Sequence, residues 1–501
     1  MSLAGNSSVS LRPRKATPDH TNDPIHHNEE DISLAPEEER LLGKEEFNVG
    51  DDFLDGNDTE RRRSTITILK FGHDPSHSGQ IAEKQYNNGT HSFGPTVIFI
   101  SLDGFRNDYL ERNITPNLAH FGKLTNKRRQ TAVSTDSSDK RQSITFPNHW
   151  TLVTGLYPEA HGIVGNDFFD PNLGEAFIHK MPKISEQSKW WGGEPIWVTS
   201  TLQGKRSATI MWPGSNVAIQ SVRSDYVVDY KRQMSMIDKM DQALAFLDRP
   251  KEERPQLISV YIPQADQKGH GAGPDGPKID VVLSEMDKSI GHLMDGLKTR
   301  NLDSFIHVVI VSDHGMAATH RSRVIFYDDI LSEESLSFLR RREAWPLLGL
   351  RPKEDAPEYA ALQVYEELYN YTQTAEDPHF QVYLREDLPA RFHYNSTDRI
   401  APVLAIPDVG YSFATHTGKY DGFDLSSGRD YRPRGMHGYD NMAFEMRAIF
   451  MAKGPRIDHY YGRGSVLEPF VNVEIYAFIA KLLNLKPAPN NGTLNGQLRL
   501  I

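Results

Sequence analysis

Three short apolar runs in this chain each deliver an acidic residue at or just beyond the carboxyl end, and that pattern narrows the folds open to it. Val97–Ile98–Phe99–Ile100 leads into Ser101, Leu102 and Asp103; Leu257–Ile262 leads into Asp266; Phe305–Val311 leads into Ser312, Asp313 and His314. Runs that are apolar at nearly every residue, rather than at every second one, fit strands buried on both faces, as in parallel sheets covered by helices. Open α/β sheets hold their ligands outside the carboxyl ends of such strands. The intervening segments have helical spacing: Met234, Met236, Ile237, Met240, Ala243, Leu244 and Leu247 within 232–247, and Val281, Val282, Met286, Ile290, Leu293, Met294 and Leu297 within 281–297. These stripes read as contacts with a sheet. A last helix is expected over 472–484, ahead of Pro487 and Pro489. The fold class that follows is α/β, a central, mostly parallel sheet flanked by helices.

The rest of the chain divides around that body. Residues 1–60 are rich in Asp, Glu, Asn, Ser and Pro and read as disordered, ending at Arg61–Arg62–Arg63. Residues 72–94 suggest no clear element. The division is therefore a disordered acidic tail and linker over 1–94 and a folded domain over 95–498. Residues 340–400 are less periodic and read as a small excursion within that domain. The formal net charge of -11 argues against a general polyanion binder, so any phosphate must meet local positive charge, most economically a metal. With no cysteine in the sequence, disulfides and thiolate chemistry are excluded, and a zinc site must be built from His, Asp and Glu.

Several residues could build one. Asp266 and His270 flank Gly269, read here as a close turn; Asp313 and His314 are adjacent at a strand end; His437 lies between Gly435 and Gly438; Asp103 follows the first strand. Taken singly each is weak, since an Asp–His pair commonly makes only a carboxylate–imidazole hydrogen bond. Three converging carboxylates, however, would repel one another and take up protons, a conflict that two divalent ions resolve. For a nucleophile the candidate is Thr145, in Thr145-Phe146-Pro147-Asn148-His149, where Pro147 biases Phe146 toward an extended backbone. Ser143, Thr151 and Thr154 are rivals on composition. A threonine hydroxyl needs a base or metal to become nucleophilic.

Taken together, SLDGFR at 101–106, TFPNHWTLVTGLYPEAHGIVGN at 145–166, WWGGEPIW at 190–197, WPGS at 212–215, ADQKGHGAGP at 265–274, SDHGM at 312–316, GMHGYDN at 435–441 and PAPNNGT at 487–493 resemble the nucleotide pyrophosphatase/phosphodiesterase family of the alkaline phosphatase superfamily, in a fungal-type member. The resemblance covers roughly 95–498. It implies an alkaline-phosphatase-like fold and two Zn²⁺ per chain, one held by Asp103, Thr145, Asp313 and His314 and the other by Asp266, His270 and His437. It implies Thr145 as nucleophile, Asn166 as donor to a phosphoryl oxygen, and Phe146 and Tyr230 as the pair enclosing a base. Trp212 is expected to help wall the pocket.

The activity implied is hydrolysis of nucleoside triphosphates and related phosphodiesters to nucleoside 5'-monophosphates. The alternative is phospholipase C-type cleavage of lysophospholipid or choline esters. The partners expected are small-molecule nucleotides, with no nucleic-acid duplex and no obligate protein partner. The stretch from Lys127 to Arg141 departs from the family pattern, as does the sequence after Arg63, where no apolar span follows. The acidic dileucine pattern at Glu37–Leu42 and the glycosylation-type triplets at Asn88, Asn113, Asn370, Asn395 and Asn491 suggest a secretory, vacuolar or lysosomal-type, or cell-surface setting, with the chain soluble as written.

Overall fold

The strand Val97–Leu102 (β1) is buried at all six positions because it runs through the middle of the sheet. The computed structural model describes residues 85–124, 144–340, 342–416 and 433–500. The acidic tail, Arg61–Arg63, the dileucine pattern, Ser143 and the polar stretch 127–141 lie outside the described residues. The other strands of the main sheet are Ser207–Ile210 (β2), Tyr226–Val228 (β3), Leu257–Ile262 (β4), His307–Val311 (β5) and Phe450–Lys453 (β6), in the order β6-β5-β1-β4-β2-β3. All pair in parallel except β6, which runs antiparallel to β5 at one edge. Every residue of β1, β2, β4 and β5 is buried. Leu102 stands opposite Ile262 and Ser101 opposite Val311, so the carboxyl ends of β4, β1 and β5 lie side by side.

Helices cover the sheet as the apolar spacing requires. Met236–Leu247 (α2) starts on a capping box formed by Ser235 and Asp238, and it buries Met240, Ala243, Leu244 and Leu247. Pro277–Thr299 (α4) begins with Pro at its first turn and buries Met286, Ile290, Leu293 and Leu297. The final helix, Glu474–Leu482 (α6), is buried along almost its whole length. Leu244 and the α4 stripe join β1, β4 and β5 in one hydrophobic core.

Two regions were poorly legible in the sequence. Tyr86–Asn87 and Ser92–Phe93 form a short antiparallel pair, in a stretch whose sequence suggests no element. It is held by packing from outside itself: Tyr86 stacks on Phe305 and the Arg254 guanidinium lies over Phe93. The excursion at 340–400 contains Leu348–Leu350 and Phe380–Leu384, which pair on either side of Val403–Pro407, and the helix Ala360–Thr374 (α5) packs on them. It has its own hydrophobic core around Leu348, Val364, Leu368, Phe380 and Val403.

Candidate active site

The sheet brings its three acids together. Asp103 directly follows β1, and its N–H donates to Ile262 O at the end of β4. Asp266 lies in the first turn of the helix Gln264–Ala272 (α3), and its N–H donates to Asp103 O. A Cβ on Gly104 would lie 2.8 Å from Asp266 Cα, so the chain approaches this closely only because residue 104, at φ +67°, is glycine. Asp313 follows β5 by two residues, and its Oδ1 accepts from the N–H groups of Gly104 and His314.

Asp266 and His270 do not flank a turn, as Gly269 suggests in the sequence. They are one turn apart on α3, and this i, i+4 spacing puts both side chains on one helix face. Gly269 instead leaves room for the Met316 side chain, which a Cβ would meet at 2.9 Å. Phe146 is likewise not extended. Thr145–Thr154 (α1) is helical from its first residue, with extended Ile144 at the N-cap. Pro147 is tolerated because the first-turn N–H it lacks has no partner within the helix.

The imidazoles are oriented by backbone carbonyls. His270 Nδ1 donates to Gly435 O and His314 Nδ1 to Gly315 O, each at 2.8 Å. A carbonyl only accepts, so Nδ1 carries a proton and Nε2 is the nitrogen turned toward the acids, free to bind a metal once its own proton is lost. His314 Nε2 lies 3.3 Å from Asp103 Oδ1, 3.0 Å from Asp313 Oδ2 and 3.2 Å from Thr145 Oγ1. Asp266 Oδ1 lies 3.4 Å from the Nε2 atoms of both His270 and His437, which are 3.2 Å from each other. The His437 ring stacks on that of His314 at 3.5 Å.

These distances suit metal ions. Donor atoms about 2.0 Å from one tetrahedral zinc lie roughly 3.3 Å apart. Asp103 Oδ1, Asp266 Oδ1 and Asp313 Oδ2 are buried without a hydrogen-bond partner, and each is an atom that faces the histidine nitrogens. Buried charges of this kind call for a cation. Two clusters, Asp266 with His314 and His437, and Asp103 with His149 and Asp313, each gather three nitrogen or carboxylate oxygen atoms within 4.8 Å of one another. They match a two-zinc arrangement.

In the protein alone, protons do part of that work. Burial, reinforced by Asp313 and Asp266, raises Asp103 well above the usual carboxylate range. Burial also acts on Asp266, but His270, His437 and His314 outweigh it and hold that carboxyl at about 2. Burial lowers His314 and His270, yet Asp313 and Asp266 respectively more than offset it, so both are raised. Metal uptake therefore displaces protons.

The remaining candidates surround this centre. Asn166 Oδ1 accepts the Phe146 N–H. The half-buried Phe146 ring meets His179 edge-on at 5.1 Å. Tyr230 is 52% exposed, and its hydroxyl accepts from Gln267 Nε2, one residue beyond Asp266. Trp212, expected to wall the pocket, is 2% exposed: its ring packs on Phe99 and His149, and Nε1 donates to His149 O. It supports the site from beneath. Thr151 pairs with His161 and Thr154 with Trp150 O, both buried and committed. Sequence reasoning passed over Ser101, His149 and Tyr261. The Tyr261 hydroxyl donates to Asp103 Oδ2. Polar residues inside otherwise apolar strands are the signal that marks Ser101 and Tyr261.

Comparison with known proteins gives a consistent result. The family model described as type I phosphodiesterase / nucleotide pyrophosphatase matches residues 97–440. An uncharacterized pyrophosphatase/phosphodiesterase of Schizosaccharomyces pombe is 43% identical over 419 residues, 83% of this chain and 82% of the relative. Human ectonucleotide pyrophosphatase/phosphodiesterase family member 1 is 34% identical over 405 residues, 80% of this chain but only 41% of that longer protein. The solved structure of human ectonucleotide pyrophosphatase / phosphodiesterase 5 is 31% identical with a TM-score of 0.68, covering 80% of this chain and 99% of that one. An inactive threonine-to-alanine variant of the murine protein, solved in complex with AMP, is 30% identical with a TM-score of 0.66, covering 80% and 97%. These relatives lend no support to the lysophospholipid or choline-ester alternative.

Proposed function

This chain belongs to the type I phosphodiesterase / nucleotide pyrophosphatase family and is an enzyme of its two-metal type, and from that premise we propose that it converts nucleoside triphosphates and related phosphodiesters to nucleoside 5'-monophosphates through Thr145. The observation that carries the reading is the position of the Thr145 hydroxyl, 3.2 Å from His314 Nε2 at the N-terminus of a ten-residue helix. A helix N-terminus favours the negative charge of a phosphoryl group.

Asp103, Thr145, Asp313 and His314 would hold one zinc and Asp266, His270 and His437 the other. When bound, the two ions would acidify the Thr145 hydroxyl and stabilise charge on the attacking and departing oxygens. Thr145 Oγ1 gives up its proton to solvent and attacks the α-phosphorus in line, the bond to the leaving oxygen breaks, and a nucleotidyl-threonine ester forms. Water then attacks that phosphorus, the bond to Thr145 breaks, and the hydroxyl regains its proton. Asn166 Nδ2 donates to a phosphoryl oxygen, with the other end of the amide already committed to Phe146. Phe146 and Tyr230 offer aromatic faces to the base, a contact that tolerates several bases. Binding of AMP by the murine relative is in keeping with this.

Product analysis tests the reading. ATP should yield AMP and pyrophosphate; ADP and inorganic phosphate would contradict it. A secretory or cell-surface location goes with relatives named as ectonucleotide enzymes. The finer vacuolar or lysosomal-type placement rests on the Glu37–Leu42 pattern alone. Among the described residues no helix is long and apolar enough to cross a membrane.

A further inference from the structure

We propose that His149 is a positioning residue: one buried imidazole ties the backbone of the nucleophile to a metal-binding carboxylate and is not itself a ligand. The inference deepens the proposed function and rests on its assignment of Thr145 and Asp313. His149 lies one helical turn beyond Thr145 on α1 and is fully buried. Its donor atoms belong to the same three-residue cluster as Asp103 and Asp313, so a ligand role is the obvious rival.

The hydrogen bonds decide between the two. His149 Nδ1 lies 2.8 Å from Thr145 O and 3.3 Å from Asp313 Oδ2. A backbone carbonyl only accepts, so Nδ1 carries a proton and has no lone pair for a metal. Nε2 is 2.8 Å from Ser101 Oγ, on the other side of the ring. Both nitrogens are committed. The Nδ1–H donates to the Thr145 carbonyl while the same nitrogen stands at ion-pair distance from the Asp313 carboxylate, so one ring spaces the attacking residue from a residue that would hold an ion.

The ring has little freedom to turn. Tyr261 meets it at 4.8 Å with an interplanar angle of 86°, and Trp212 at 5.4 Å and 73°. Tyr261 at the same time donates to Asp103 Oδ2. One packed layer, built from β1, β4 and α1, thus touches both Asp103 and Asp313. Partners behind metal ligands commonly change metal affinity or activity by about 10–100-fold when lost.

Two near-isosteric variants test this. In His149→Asn the amide nitrogen takes the place of Nδ1 and keeps the donor; in His149→Gln the amide reaches toward Nε2 and the donor is lost. Each is compared with wild type for zinc retained against a graded chelator series, for kcat and KM on the p-nitrophenyl ester of thymidine 5'-monophosphate, and for Tm. The Asn variant should retain two zinc ions and a kcat close to wild type. The Gln variant should release one of its two ions about 10–100-fold more readily and lose kcat with KM unchanged. Equal zinc loss in both variants would assign His149 as a ligand and overturn the proposal. A fall in Tm alone, with zinc and kcat intact in both, would reduce it to packing and also overturn it. The Asn variant by itself decides the ligand question, so misfolding of the Gln variant does not shield the proposal. Zinc retention needs no substrate, so failure of the nucleotide reading is distinguishable from failure here.

Discussion

Asn166 accepts the backbone N–H of Phe146 through its side-chain oxygen at 3.0 Å. That bond fixes which end of the amide is oxygen and leaves the NH₂ group to face a substrate. Asn166→Asp keeps the acceptor but replaces the donor with a negative charge. It should fold normally and lose about 10²–10³ in kcat, the size typical of removing one donor to a developing oxyanion. Steady-state kinetics alongside a thermal melt checks this; a kcat near wild type would remove Asn166 from phosphoryl stabilisation.

Tyr230 is half exposed and held by Gln267 from α3. Tyr230→Ala should raise KM for a nucleotide ester by about tenfold, since stacking on one base is worth about 1–3 kcal/mol. A small ester such as bis(p-nitrophenyl) phosphate, which has no base, should be affected much less. Equal losses on both substrates would exclude a base-specific contact.

His437 shares Asp266 Oδ1 with His270. Removing its imidazole should leave that position with too few donors, so His437→Ala should bind one zinc ion where the wild type binds two. Elemental analysis of the purified variant reads the ratio directly. Two ions retained after dialysis would place His437 outside the metal site.

Lys239 is fully buried on α2, and its hydrogen bond to Gln264 Oε1 is long, at 3.5 Å. Burial lowers its amine from 10.5 to about 7. Below that value the folded and unfolded chains both carry the proton, and the full cost of burying the charge applies. Between about 7 and 10.5 the unfolded chain binds more protons, so this group's contribution to stability rises with pH. Lys239→Met should therefore melt several degrees above wild type at pH 7, with the gap closing toward pH 10. Differential scanning calorimetry across that range tests it, and a gap independent of pH would contradict the shift.

What the sequence disclosed depended on how local the cause was. The strands that lead to Asp103, Asp266 and Asp313 were legible because burial on both faces leaves a run of apolar residues. The helix stripes on α2 and α4 were legible for the same reason at a different period. Asp266–His270 misled because Gly269 suggests a turn, whereas its missing side chain serves Met316, a contact from another part of the chain. Phe146 misled because the rule for residues before proline yields here to the start of a helix. Trp212 misled because the residues that cover it, Phe99 and His149, come from other parts of the chain. His149 itself has no local signature beyond its four-residue spacing from Thr145, since its partners lie on β1 and just beyond β5.

Chemistry by paired ions and a threonine hydroxyl is tested most directly by a stoichiometric refill. Protein stripped by a chelator is given zinc in steps, and AMP release from ATP is measured at each. The rate should climb to a plateau at two equivalents per chain, while Thr145→Ala should take up the same two equivalents and release no AMP. Full hydrolysis by the stripped protein, or folded protein that binds no zinc and remains inert when supplied with it, would contradict the account.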